Sequence, residues 1–212
     1  MYNIVMRTKH LFSFAIVFAL ATFVNAQSLL YSIEGKGIKK SYLYGTIHML
    51  PQKDFGLHDK VMNAFNESEQ LVLEMDVTNP SLQVELMQYA FMMDGNTLQS
   101  LLGADDYKKL DDKLKAITGL GAAPMNTMKP FIVSTMLLSS FIGEEVASYE
   151  LTFAEKAAKS NKEIVGLETV AQQMKAVDAM PMEQQIKDLK EMLNDSEEVS
   201  KLYAKIIQYY KD

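Results

Sequence analysis

The sequence predicts an α/β or α+β fold in which a small β-sheet carries a large helical insertion. Two observations predict it. β-Rich runs stand at 29–33, 41–46, 71–73 and 164–167, and helical patterns fill most of the chain between the last two. Composition agrees: 48% apolar and 23% charged residues over 212 are ordinary globular values, which excludes wholesale disorder and collagen-like or coiled-coil repeats.

The first 26 residues are set apart. Arg7, Lys9 and His10 form a basic start, residues 11–24 an apolar run, and Val24-Asn25-Ala26 supplies the small residues at which a signal peptidase cuts. The run is shorter than the ~20 residues that span a bilayer. A signal peptide over 1–26 is therefore expected, with cleavage before Gln27, a domain over 27–212 and no membrane span after cleavage. Export to a bacterial-type envelope, periplasmic or secreted, follows, and the absence of cysteine points the same way. That absence also excludes disulfides, Cys-bound zinc and thiolate catalysis. A net charge of −6 argues against a nucleic-acid partner.

In chain order, residues 29–33 and 41–46 read as a hairpin closed by Glu34-Gly35-Lys36-Gly37. The stretch 35–40 looks like a phosphate loop but lacks the Gly-Lys-Ser/Thr ending and the following helix. A helix over 57–66 is expected to bury Val61, Met62 and Phe65. A strand through Leu71-Val72-Leu73 follows, then helices over 81–93, 105–117, 128–142 and 151–160, a strand over 164–167 and a helix over 169–177. The tail reads as two helices, one with Ile186, Leu189 and Leu193 in register, the other with Val199, Leu202, Ile206 and Tyr210. Of the 15 methionines, Met87, Met136 and Met192 lie on apolar helix faces and are expected to fill a core. The pairs Met125/Met128 and Met180/Met182 could serve copper(I), but no dense methionine cluster stands beside a histidine.

Chemistry concentrates at two strand ends. Thr46 and His48 share a face just past the second strand, and Gly45 beside them permits close approach. Glu74 and Asp76 share a face past the third. Ligands of open α/β sheets bind where strand carboxyl ends converge, so a histidine and two acids there could ligate a divalent ion or form an acid–base pair. His58 is a further candidate ligand, although a helix-start histidine is ordinarily exposed.

Tyr42-Leu43-Tyr44-Gly45-Thr46-Ile47-His48 and Leu71-Val72-Leu73-Glu74-Met75-Asp76 together resemble the opening of the TraB/GumN family. That family includes the Tiki metalloproteases and is related in fold to ChaN and erythromycin-esterase-like proteins. The resemblance continues in Lys129-Pro130-Phe131, in Glu150-Leu151-Thr152-Phe153, and in Gly166-Leu167-Glu168-Thr169 with Gln172. It implies a divalent-metal-dependent hydrolase acting on peptide or protein, its cofactor manganese, cobalt or zinc. His48 would be a metal ligand, and Glu74 a metal ligand or the catalytic base for a metal-bound water. Gly45, Asp76, Glu150 and Glu168 would be supporting residues.

Two departures accompany it. Glu150 stands where the family usually has aspartate, and the family's second Gly-x-x-His motif has no counterpart. The resemblance thus implies a chain lacking the family's C-terminal part, holding half a metal site, weakly active or inactive alone and prone to self-association. A non-catalytic envelope binding module that keeps the fold is the alternative.

Overall fold

The computed structural model describes residues 29–142 and 145–211, and its contacts divide the chain into two compact units, Met1–Tyr44 and Gly45–Asp212. The signal segment expected over 1–26 lies outside the described residues, as does its cleavage point.

The described part of the first unit is the expected hairpin. Strands β1 (Leu30–Gly35) and β2 (Ile38–Tyr44) pair antiparallel, with Leu30 opposite Tyr44 and Ser32 opposite Tyr42. Gly37 closes the turn at φ +80°, a conformation that side-chain-bearing residues rarely adopt, so the phosphate-loop lookalike is a hairpin turn.

The second unit runs β3 (Leu50–Pro51), α1 (Asp59–Glu67), β4 (Gln70–Leu73), α2 (Leu82–Tyr89), α3 (Leu98–Leu102), α4 (Ala104–Thr118) and α5 (Pro130–Ile142). It continues through β5 (Val146–Ala147), α6 (Tyr149–Lys159), β6 (Glu163–Gly166), α7 (Val170–Asp178), α8 (Met182–Asn194) and α9 (Ser196–Lys211). Strands β4 and β6 are parallel, with Leu71 opposite Ile164 and Leu73 opposite Gly166; β3 and β5 are antiparallel. This is the predicted mixed fold with its helical insertion.

The insertion shares an apolar core with α8. Leu98 and Leu102 of α3, Leu110 and Leu114 of α4, Val133 and Leu137 of α5, and Leu189 and Leu193 of α8 pack together. Each pair is four residues apart, which places both members on one helix face. Around the strands an aromatic group takes over: the Phe65 and Phe153 rings lie 5.5 Å apart and those of Phe55 and Tyr149 4.7 Å. Such spacings favour tilted or offset ring contacts.

Several sequence expectations shift. Helix α2 ends at Tyr89 rather than near residue 93, because the chain leaves to pair Phe91 with Met128 and the Met92 amide donates to the Thr127 carbonyl at 2.8 Å. Helix α3 was not expected; Thr97 and Ser100 form a capping box at its start. On α1, Ala64 is buried with Val61 and Phe65, while Met62 is half-buried. Met136 and Met192 are half-buried, but Met87 is exposed and fills no core.

The face of α9 is rotated from the expected stripe. Leu202 is 61% exposed and Ile206 44%, whereas Ile207 is only 5% exposed. The inward face runs through Tyr203, Ile207 and Tyr210, at helical spacings of four and three.

Candidate functional site

Strands β4 and β6 end side by side, and their ladder continues one step into the loops. The Leu167 amide donates to the Leu73 carbonyl at 2.9 Å and the Glu168 amide to the Glu74 carbonyl at 2.8 Å. Glu74 is thereby fixed at the carboxyl end of a parallel pair, where helix-flanked sheets present side chains to ligands. Gly166 permits the approach: a Cβ there would stand 2.8 Å from the Asp76 amide nitrogen.

The second arm is residues 45–49, which lead from the hairpin into β3. The short β3–β5 ladder pairs Leu50 with Ala147 and Pro51 with Val146, and the Gln52 amide donates to the Glu145 carbonyl at 2.8 Å. This pairing brings His48 beside the start of α6. Ser148 caps that helix, its hydroxyl accepting the Leu151 amide at 3.3 Å, so Glu150 falls in the first turn, where the helix dipole favours an acid.

Glu150 is the hub. One carboxylate oxygen accepts the Thr46 hydroxyl at 2.8 Å and lies 3.1 Å from His48 Nδ1; the other accepts the Ser148 hydroxyl at 2.8 Å. Its side chain is 14% exposed. Burial pushes the carboxyl up, but its own backbone amide, Thr46, Ser148 and the facing imidazole outweigh that and hold it below the ordinary value. A carboxylate against Nδ1 favours the tautomer with its proton on that nitrogen, in which Nε2 can offer a lone pair. Nε2 stands 3.7 Å from Glu74 Oε2, with the His48 and Glu74 side chains 67% and 63% exposed.

The structure therefore gathers His48, Glu74 and Glu150, from positions more than a hundred residues apart in the widest case. Thr46 and His48 meet the same carboxylate, as their shared face suggests. Asp76 is turned elsewhere: its carboxylate accepts the Thr78 amide and hydroxyl at 2.9 and 2.6 Å. Glu168 contributes its backbone to the ladder, while its carboxylate accepts from Gln173 at 2.6 Å. Gly45 offers its carbonyl to the Tyr210 hydroxyl at 3.2 Å. His58 caps α1, its carbonyl receiving the Val61 and Met62 amides.

Two contributors were missed from the sequence, Thr46 as a donor to Glu150 and Ser148 as both donor and helix cap. A Ser-x-Glu just ahead of a helical run is a cap signal, hidden by starting the helix at residue 151. Two of the matched segments are structural. Thr169 and Gln172 form a capping box on α7, and Lys129 pairs with Asp178 at 2.5 Å while the Phe131 amide donates to the buried Gln185 at 3.3 Å.

Fold and site together define an α/β protein with a histidine–carboxylate cluster at the carboxyl ends of two parallel strands. The chain belongs to the TraB/PrgY/gumN family, whose model matches residues 29–212. No curated protein and no solved structure matches it.

Two donors, His48 Nε2 and Glu74 Oε2, could contribute to a cation site. His48 has one nitrogen anchored and the other free beside a carboxylate, the usual arrangement of a metal-bound imidazole. At 3.7 Å, Nε2 and Glu74 are too far apart for a hydrogen bond and close to the spacing of two donors on one ion bound at ~2.1 Å. Among the described residues, no group of three or more His, Asp and Glu side chains could hold a metal ion.

Proposed function

We propose that the chain is an exported, divalent-cation-dependent hydrolase of peptide or protein substrates. The observation that supports this most is the His48 imidazole, held through Nδ1 by Glu150 and facing Glu74 through Nε2. His48 Nε2 and Glu74 would hold the ion. When bound, manganese, cobalt or zinc supplies Lewis-acid polarisation of a scissile carbonyl and lowers the pKa of a water. Glu74, exposed and without a helix cap or turn to satisfy, would serve either as the second ligand or as a base toward a bound water. Glu150 keeps the imidazole in one tautomer and orientation, and Thr46 and Ser148 keep Glu150 in place.

Calorimetry with manganese, cobalt and zinc on the full chain tests this reading. Binding is expected in the wild type and is expected to vanish in both His48→Ala and Glu74→Gln. Binding that ignores both substitutions, or no binding at all, would favour a non-catalytic envelope module that keeps the fold.

Export rests on the basic start, the short apolar run and the small residues ahead of Gln27. Amino-terminal sequencing of protein recovered from a bacterial envelope fraction is expected to begin at Gln27; recovery of chains that begin at Met1 rejects it. Among the described residues, no helix is long and apolar enough to cross a membrane.

A further inference from the structure

We propose that Tyr203 and Tyr210 of α9 are positioning residues for His48, their hydroxyls clamping the backbone on either side of it; the inference rests on the site read above. Residues 45–49 form neither helix nor ladder, so the segment that presents His48 has little regular structure of its own. Its order must come from contacts made by other elements.

Two of those contacts come from one helix. The Tyr210 hydroxyl donates to the Gly45 carbonyl at 3.2 Å, and the Tyr203 hydroxyl donates to the Met49 carbonyl. These carbonyls lie three residues before His48 and one after it. Seven residues on a helix make about two turns and span roughly 10 Å, so one face can deliver both hydroxyls. Ile207, buried between them, seats that face, and α9 packs on both α5 and α8. Burial also raises the Tyr203 phenol, which keeps it a donor throughout the neutral range.

The same helix reaches the Glu150 side. The Tyr210 ring lies 6.2 Å from that of Tyr149, the residue preceding Glu150. One residue on, Lys211 pairs with the largely buried Asp54, just past β3. Helix α9 thus touches the backbone on both sides of His48, the residue before Glu150 and the stretch after β3. A hydroxyl on each of two rings is what such a clamp requires; phenylalanine would fill the same space without holding either carbonyl.

The test compares the full chain carrying Tyr203→Phe and Tyr210→Phe with one carrying Tyr209→Phe, whose ring lies on the same helix but is 67% exposed. Amide hydrogen exchange is measured without metal, and the His48 ring nitrogens are followed by ¹⁵N NMR at fixed pH. In the double variant, exchange over residues 46–50 is expected to quicken roughly tenfold or more, while α4, α5 and α8 keep their protection. His48 is expected to pass from one tautomer to an averaged signal, and Tyr209→Phe to change neither. The proposal is overturned if the double variant matches Tyr209→Phe, or if exchange quickens evenly across the core helices. Both readouts are metal-free, so a wild-type chain that binds no cation sinks the hydrolase reading and leaves this test standing.

Discussion

Glu150→Gln is expected to weaken cation binding by about 10- to 100-fold, the usual cost of losing the carboxylate behind a ligating histidine. The amide keeps the shape but not the charge. It can donate as well as accept, so nothing forces the proton onto His48 Nδ1, and the Thr46 and Ser148 hydroxyls lose a charged acceptor. Calorimetry on the two chains measures the affinity. The same substitution is expected to cost about 1–2 kcal/mol of stability at neutral pH. Its pH dependence has a definite sign. The folded-state pKa of Glu150 is held below 4.5, so its contribution is fully present above that value and disappears as the pH falls through the lowered one. Denaturant unfolding should find the gap between wild type and variant open at pH 7 and narrowing below pH 4.5. A gap of constant size, together with unchanged affinity, would remove Glu150 from the site.

Gly166→Ala is expected to destabilise the fold by about 1–3 kcal/mol, the range for forcing added bulk into a packed position. The new Cβ would meet the Asp76 amide nitrogen at 2.8 Å and the Met75 Cα and carbonyl carbon at 3.4 Å. These are backbone atoms and cannot rotate away, so the ends of β4 and β6 must part, displacing Glu74. Loss of stability and weakened cation binding should therefore appear together. Gly56→Ala is the control, because a Cβ there meets nothing within 4 Å. Equal behaviour of the two substitutions in urea unfolding would show that the strand ends have room to spare.

The parts legible in the sequence are those with a strong local signature. Leu71-Val72-Leu73 and Ile164-Val165 are continuous apolar runs, as expected of strands in a parallel pair, and both are strands. His48 and Glu74 stood out because each follows a β-rich run. The rest of the site is joined by features with almost no pattern. A two-residue ladder such as β3–β5 has no periodicity to detect, yet it brings His48 to Glu150. Asp76 looked equivalent to Glu74 by alternation, but β4 stops at Leu73 and a side-chain-closed turn takes Asp76 away. On α9, apolar and aromatic residues occupy so many positions that two faces fit the helical period. What turns the Tyr203 and Tyr210 face inward is tertiary: their hydroxyls donate to two carbonyls near His48, contacts that Leu202 and Ile206 cannot make.

The parallel pairing of β4 with β6 also dictates when the site can come into being. Gln70 waits for Glu163, and His48 for Glu150, across separations of 93 and 102 residues. Closing such long loops costs chain entropy before any bond repays it, and topologies rich in distant pairings fold slowly for that reason. During synthesis, the ribosome must release α2 to α5 before the histidine has Glu150 to meet. Helix α9 is tied back to Gly45 across 165 residues and emerges later than Glu150. The nascent chain therefore carries an unassembled centre until α9 has emerged.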